Sequence, residues 1–315
     1  MFKILFTTDS HGSTQVWYKG LRLGLSYNVN AFLLCGDLVG KALVPIVRVS
    51  DDKWYYSPYG KKETITGKNQ FQRISGSFES RGFYVREVTE EELTELKSNP
   101  TKLRDVFNES VLARIEKWMT MIEEKVPSVV PVIVSPGNDD MPEIDAVIKK
   151  HPRVVYPLET VVSVAGYDMI SCEWVNETPW KTPRQCSDEE LEKRLEREFD
   201  RASDKKRLVC NFHAPPHNTR IDEAPKLDKN HKPVTKLTLV VKEHVGSVAV
   251  RKTLERHQPV IGLHGHIHES EGSDQIGRTL VLNPGSEYEA GVFKGFIVSI
   301  PKEQEKGVSF QRVEG

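Results

Sequence analysis

Short apolar runs recur along the chain, and most of them stop at a glycine, asparagine, aspartate or histidine. Lys3 to Thr8 is the first and ends in Asp9-Ser-His11-Gly12. From Thr14 to Ser26 the residues Val16, Leu21, Leu23 and Leu25 fall at helical spacing, and Ser13 or Thr14 can cap that helix. Ala31 to Cys35 is the next run, stopping at Gly36-Asp37-Leu38-Val39-Gly40. Strand, helix and strand at this spacing predict a βαβ unit with parallel strands. Asp9, His11 and Asp37 then stand at the carboxyl ends of neighbouring strands, where open α/β sheets place their sites.

A helical pattern from Thr101 to Lys125 leads to a third strand, Val129 to Val134, which ends in Pro136-Gly-Asn-Asp-Asp140. Further strands are predicted at Val154 to Tyr156, within Val161 to Trp174 around a turn at Gly166-Tyr-Asp168, and at Arg207 to Phe212. The last of these ends in His213-Ala-Pro-Pro-His217. Ser187 to Lys206 reads as a charged helix with a solvated, alternating-sign face. A polar loop to about Lys236 and a helix up to His257 precede the run Pro259-Val-Ile-Gly-Leu263. Thr279 to Leu282 and Gly295 to Ile300 complete the strands.

Residues 46–100 break this rhythm. Trp54, Tyr55, Tyr56, Phe71, Phe78, Phe83 and Tyr84 are interleaved with Lys61, Lys62, Lys68, Arg73 and Arg81, and glycines punctuate the stretch. It reads as a β-hairpin-like insertion leading into a helix near Glu90 to Leu96. Its aromatic residues serve either as a small satellite core or self-association contact, or as a cap that reads substrate by stacking and charge.

The densest chemistry lies in Gly262-Leu-His-Gly-His-Ile-His-Glu269. Alternation points His264, His266 and His268 to one side of an extended backbone, and Gly265 lets that backbone pass close to a neighbour. Imidazole is the commonest metal ligand. An exposed histidine-rich turn is the plain alternative, and the carboxylates at the other strand ends weigh against it.

Composition narrows the picture. At 315 residues the chain fits one α/β domain spanning 1–315, with the insertion at about 46–100. A formal net charge of -1 argues against a nucleic-acid surface, which is strongly basic. No apolar run approaches the ~20 residues of a membrane span. The first residues read as a strand, not a leader, so the expected location is cytoplasmic. Cys35, Cys172 and Cys210 sit inside apolar runs, and with Cys186 they show no CxxC spacing, so packing is their expected role.

Taken in order, Asp9-x-His11, Gly36-Asp37, Gly137-Asn138-Asp139-Asp140, His213 and Gly265-His266-Ile267-His268 closely resemble the blocks of the calcineurin-like metallophosphoesterase superfamily. Those blocks read D-x-H, G-D, G-N-H-[D/E], H and G-H-x-H. The stretches Asn211-Phe-His-Ala-Pro-Pro216, His244-Val-Gly-Ser247 and Asn283-Pro-Gly-Ser286 resemble its Icc-related phosphoesterase branch. The likeness runs from Asp9 to Ser286 and implies an α/β sandwich of two mixed sheets flanked by helices. It also implies a phosphodiesterase with two divalent ions (manganese, iron or zinc, manganese favoured) and a metal-bound hydroxide as nucleophile. By resemblance Asp9, His11, Asp37 and His268 hold one ion, while Asp37, Asn138, His213 and His266 hold the other. Two divalent cations against two aspartates leave a net positive charge suited to a small anionic phosphoester.

One position departs from the pattern. Where the superfamily has a histidine that contacts phosphate and protonates the leaving oxygen, this chain has Asp139. Cations beside it favour its ionised form, so it is a poor acid. The chain then cleaves esters with good leaving groups, or borrows His217, His244 or His264. Otherwise it serves as a metal-binding scaffold for protein interaction, like the retromer subunit of the same superfamily. A nuclease is the third alternative, kept alive by the basic and aromatic insertion.

Overall fold

The computed structural model describes residues 1–301 and 307–315. Two six-stranded mixed sheets stack face to face. The first runs Ser309–Glu314, Lys294–Ile300, Phe2–Thr8, Ala31–Cys35, Val132–Ser135 and Val154–Val155. The second runs Gly272–Ile276, Thr279–Asn283, Ile261–Leu263, Leu208–Phe212, Tyr167–Cys172 and Val162–Val164. This is the expected α/β sandwich.

Strand alternation sorts the core into layers. Ile4, Phe6, Leu33, Cys35 and Ile133 face Met169, Val209, Ile261, Leu263 and Leu282 between the sheets. Leu5, Phe32, Leu34, Val132 and Val134 face outward, against Val16, Trp17 and Leu21 of the Thr14–Ser26 helix and Ile115, Trp118 and Ile122 of the Pro100–Lys125 helix. Strands covered on both faces are continuously apolar, as these are. Trp17 and Trp118 stack with ring centroids 4.4 Å apart. A third layer packs Ile170, Cys210 and Phe212 against Leu191, Leu195 and Phe199 of the Asp188–Arg201 helix. That helix therefore has a buried stripe at i, i+4 and i+8 and is not merely solvated, since its charges crowd only the remaining face. Each side chain of this size, fully buried, contributes about 1.5–3 kcal/mol.

The insertion is larger than a hairpin. Leu43–Ser50, Lys53–Tyr56, Glu63–Thr66 and Tyr84–Val88 form a four-stranded sheet, with the Lys68–Ser80 helix interposed and the Glu90–Ser98 helix following. Its aromatics chiefly make small cores: Trp54 packs with Ile46, Ile65 and Phe71, and Tyr55 with Val47, Val88 and Leu96. The turn expected at Gly166-Tyr-Asp168 falls at Ala165-Gly166, both at positive φ, so Tyr167 and Asp168 already belong to the strand Tyr167–Cys172. Cys35, Cys172 and Cys210 are buried and unpaired, consistent with packing. Among the described residues no helix is long and apolar enough to cross a membrane.

Gly76 lies inside the Lys68–Ser80 helix with nothing within 4 Å of where a Cβ would stand. Gly76→Ala should therefore raise stability by about 0.5–1 kcal/mol in urea denaturation. A loss of stability would contradict the open helical surface described here.

Candidate metal centre

Sheet register brings the polar strand ends together. Phe2–Thr8 pairs in parallel with Ala31–Cys35, Thr8 opposite Cys35, and Cys35 stands opposite Ser135 of the next parallel strand. Asp9, Asp37 and Asn138 are thus carried off one edge. In the second sheet Asn211 stands opposite Leu263 and Leu263 opposite Leu282, all parallel, so His213 and the histidine loop leave the same rim.

Past the ladders the loops are zipped by backbone bonds: Asp9 N–H to Gly36 O at 3.2 Å, His11 N–H to Asp37 O at 2.9 Å, and Gly12 N–H to Leu38 O at 2.8 Å. Asp9, His11, Asp37 and His266 all adopt positive φ, at 56°, 39°, 33° and 69°. Each such non-glycine residue stores about 1–3 kcal/mol of strain, which persists only where the surroundings over-determine it. Four candidate ligands share this conformation, and the backbone bonds between their loops hold it in place.

Two groups of ligand atoms result. Asp9, His11, Asp37 and His268 form one and Asp37, His213 and His266 the other, with the offered atoms in each lying within 4.8 Å of one another. Asp37 is common to both. The Nε2 atoms of His11 and His268 face each other at 3.0 Å. His11 Nδ1 lies 3.2 Å from the carbonyl of Val39, to which it must donate, so the lone pair is on Nε2. His213 Nε2 lies 3.4 Å from Asp37 and 3.7 Å from Asp9.

Asn138 is the candidate fourth ligand of the second group. Its amide nitrogen donates to Thr182 Oγ1 at 3.0 Å, while its buried Oδ1 has no partner. A buried amide oxygen left over in this way is a ready ligand. The donor set, imidazole, carboxylate and amide oxygen without thiolate, suits manganese, iron or zinc.

Several side chains hold this frame. Asp140 is buried and accepts from Leu38 N, Val39 N and Gly137 N at 3.0, 2.7 and 2.7 Å, tying the Asp37 loop to the Asn138 loop. Arg184 donates to Asp140 O and pairs with Asp145 at 2.7 Å. Ser286 Oγ donates to Asp9 O and Ser286 N to His268 O, while Asn283 Nδ2 donates to Ile267 O.

Electrostatics follow from burial and crowding. Burial opposes charge on Asp37, but His213, His11 and His266 outweigh it and hold the carboxyl well below its usual range. Burial likewise works against the His213 imidazolium, yet Asp37 and Asp9 push it up to about 9. His11 and His266 are brought down to about 4, chiefly by burial. Asp139 is pushed up to about 6, first by burial and then by Asp37. Divalent ions held by the neighbouring groups would act the other way and favour the ionised form of Asp139.

Metal-free protein should therefore carry His213 protonated at neutral pH. A pKa raised from 6.5 to about 9 stabilises the fold fully below pH 6.5, and that contribution is lost as pH rises through 9. The melting temperature of chelator-treated protein should fall across this window, and His213→Gln should flatten the fall. Manganese binding at pH 7.5 should release a proton into weakly buffered solution. A pH-independent melting temperature and no released proton would refute this assignment.

His264 and His217, expected to stand in as catalytic groups, lie outside both ligand groups. His264 is buried, its Nδ1 2.9 Å from the carbonyls of both Phe212 and Ala214, so it braces the strand end. Proximity to His266 in sequence misled here, because the strand ends at Leu263 and His266 turns away at φ 69°. His217 and His244 lie beside Asp222, at 3.7 and 2.8 Å, in a separate loop cluster. Asp139 does stand at the site, its N–H donating to Asp37 Oδ1 at 2.9 Å.

Sequence reasoning missed three neighbours. Thr182 orients Asn138 from a loop with no pattern to flag it. Tyr288 sets its ring 4.7 Å from that of His11, just beyond the Asn283-to-Ser286 stretch. Lys41 Nζ lies 5.6 Å from the Tyr288 centroid and helps to lower the pKa of His11. A cation directly after Gly36-to-Gly40 was a visible signal.

Fold and site define an α/β sandwich protein with a candidate binuclear metal centre. Comparison with known proteins agrees at the level of fold. One solved crystal structure aligns over 98% of each chain at 16% identity with a TM-score of 0.58. The crystal structure of TT1561 of Thermus thermophilus aligns over 98% of each at 13% identity and a TM-score of 0.52. The uncharacterized protein MJ1162 of Methanocaldococcus jannaschii is 30% identical over 155 residues, which is 49% of this chain and 63% of that relative. The match thus spans less than two thirds of MJ1162. No family model matches the chain.

Proposed function

We propose that the chain is a metal-dependent phosphoesterase acting on phosphodiesters with good leaving groups. The observation that carries this reading is the pair of buried ligand groups sharing Asp37. Two divalent ions, when bound, neutralise phosphoryl charge and make a coordinated water acidic enough to deprotonate near neutral pH. Asp9, His11 and His268 would hold one ion, Asn138, His213 and His266 the other, and Asp37 both. Asp140 and Arg184 position the Asp37 and Asn138 loops, and Lys41 adds positive charge at the mouth.

Asp139 supplies no proton in this scheme, and His264 and His217 lie outside both ligand groups. The leaving oxygen must depart as a stable anion, which favours activated diesters over alkyl monoesters. The ordered blocks support the superfamily, and Asn211 to Pro216 with Asn283 to Ser286 support its Icc-related branch. The same Asp139 favours a second reading, a metal-binding scaffold without turnover.

Protein stripped of metal and refilled with Mn²⁺ separates the two. Under the first reading it hydrolyses bis(p-nitrophenyl) phosphate, and does so faster than p-nitrophenyl phosphate. Bound metal with neither ester turned over would leave the scaffold.

A further inference from the structure

Trp180 is 65% exposed, although it lies in a loop that touches the candidate centre. Thr182, two residues on, holds the Asn138 amide, and two residues of chain span at most about 7 Å. The loop is closed by Gln185 Oε1, which accepts from Thr178 N at 3.0 Å and Thr178 Oγ1 at 2.8 Å. Trp180 N–H donates to Thr178 Oγ1 at 3.3 Å, so its backbone is tied to the loop while its ring stays largely exposed.

Facing it is His231, with ring centroids 6.3 Å apart and planes 34° from parallel. His231 sits on an arm whose base is the pairing of Glu223–Pro225 with Lys242–His244. That base is tied to the histidine loop: Ser270 Oγ donates to Glu223 O, and Asn283 Nδ2 reaches both Ile221 O and Ile267 O. One ring thus belongs to the loop that holds Asn138 and the other to an arm whose base is tied to the histidine loop.

We propose that Trp180 and His231 form a stacking clamp for a planar aromatic or heterocyclic ester group, held while its phosphoryl group lies on the Asp/His cluster. Ring atoms in contact stand about 3.5 Å apart, so a third ring between two needs about 7 Å between their planes. The arm must open and the two rings turn towards parallel to admit it, since their centroids now stand 6.3 Å apart at 34°. Stacking on tryptophan tolerates any planar group, so the clamp selects shape without reading a hydrogen-bond pattern. This inference rests on the phosphoesterase reading for the position of the phosphoryl group.

Calorimetry of the Mn²⁺-loaded protein with diphenyl phosphate and dimethyl phosphate tests it, since the two share charge and phosphoryl group and differ in planar surface. Diphenyl phosphate should bind about tenfold tighter or more. Trp180→Ala should bring the ratio close to one without changing dimethyl phosphate affinity, His231→Ala should reduce it, and Trp180→Phe should keep most of it. Equal affinity of Trp180→Ala and unaltered protein for diphenyl phosphate would overturn the clamp, as would no preference in the unaltered protein. A preference that depends on Trp180, without turnover of bis(p-nitrophenyl) phosphate, would uphold the clamp and defeat the phosphoesterase reading.

Discussion

Asp37→Ala should remove metal binding and phosphodiester hydrolysis together. Asp37 belongs to both ligand groups, so its loss leaves each short of a carboxylate and the pair without a bridge. Losing the charge stabilisation of two ions, worth several kcal/mol, lowers kcat/KM by at least ~10³-fold. The fold should survive with reduced stability, because the side chain makes one backbone hydrogen bond, to Asp139 N, and its ion pairs with His11 and His213 are confined to the site. Circular dichroism of the variant should match that of the unaltered protein. A third readout links the site to its electrostatics. His213 owes its raised pKa mainly to Asp37, so metal-free Asp37→Ala should lose the decline in stability between pH 6.5 and 9. Retained turnover, or a loss of fold with the loss of metal, would count against this role.

Gly137→Ala should be nearly as damaging, by a different route. A Cβ there would lie 2.3 Å from Asp37 N, 2.4 Å from Asp37 Oδ1 and 2.7 Å from His213 Nε2. Backbone cannot yield as a flexible side-chain end can, so the Asp37 and Asn138 loops must separate. Overpacking of this kind costs about 1–3 kcal/mol and should spoil metal occupancy as well. Gly76→Ala is the matched control, with the same added methyl group in open space and the opposite sign of effect. Unfolding midpoints with bound manganese measured on both variants make the comparison. A Gly137→Ala protein with full stability and full metal content would show that the close approach is not required.

Most of the sandwich was legible because strand ends carry their own punctuation. Apolar runs stopping at Asp9, Asp37, Asn138, His213 and His266 marked the rim, and parallel register then brought those positions together. Less visible was anything whose partner lies far away in sequence. The Lys68–Ser80 helix has Phe71, Ile74 and Phe78 on one side, but Gly67 before it and Gly76 within it disguised the stripe. The Asp188–Arg201 helix hid Leu191, Leu195 and Phe199 among charges. His264 was indistinguishable from His266 until the backbone turned between them, with His266 at φ 69°. Thr182 and Trp180 had no local pattern, since their meaning comes from Asn138 and His231 across the rim.

The central claim is a pair of ions sharing Asp37, and the most direct measurement is metal stoichiometry after refilling with manganese and removing excess. Elemental analysis should find two ions per chain in the unaltered protein and a loss of both in Asp37→Ala. One ion per chain, or two that survive the substitution, would contradict a shared centre.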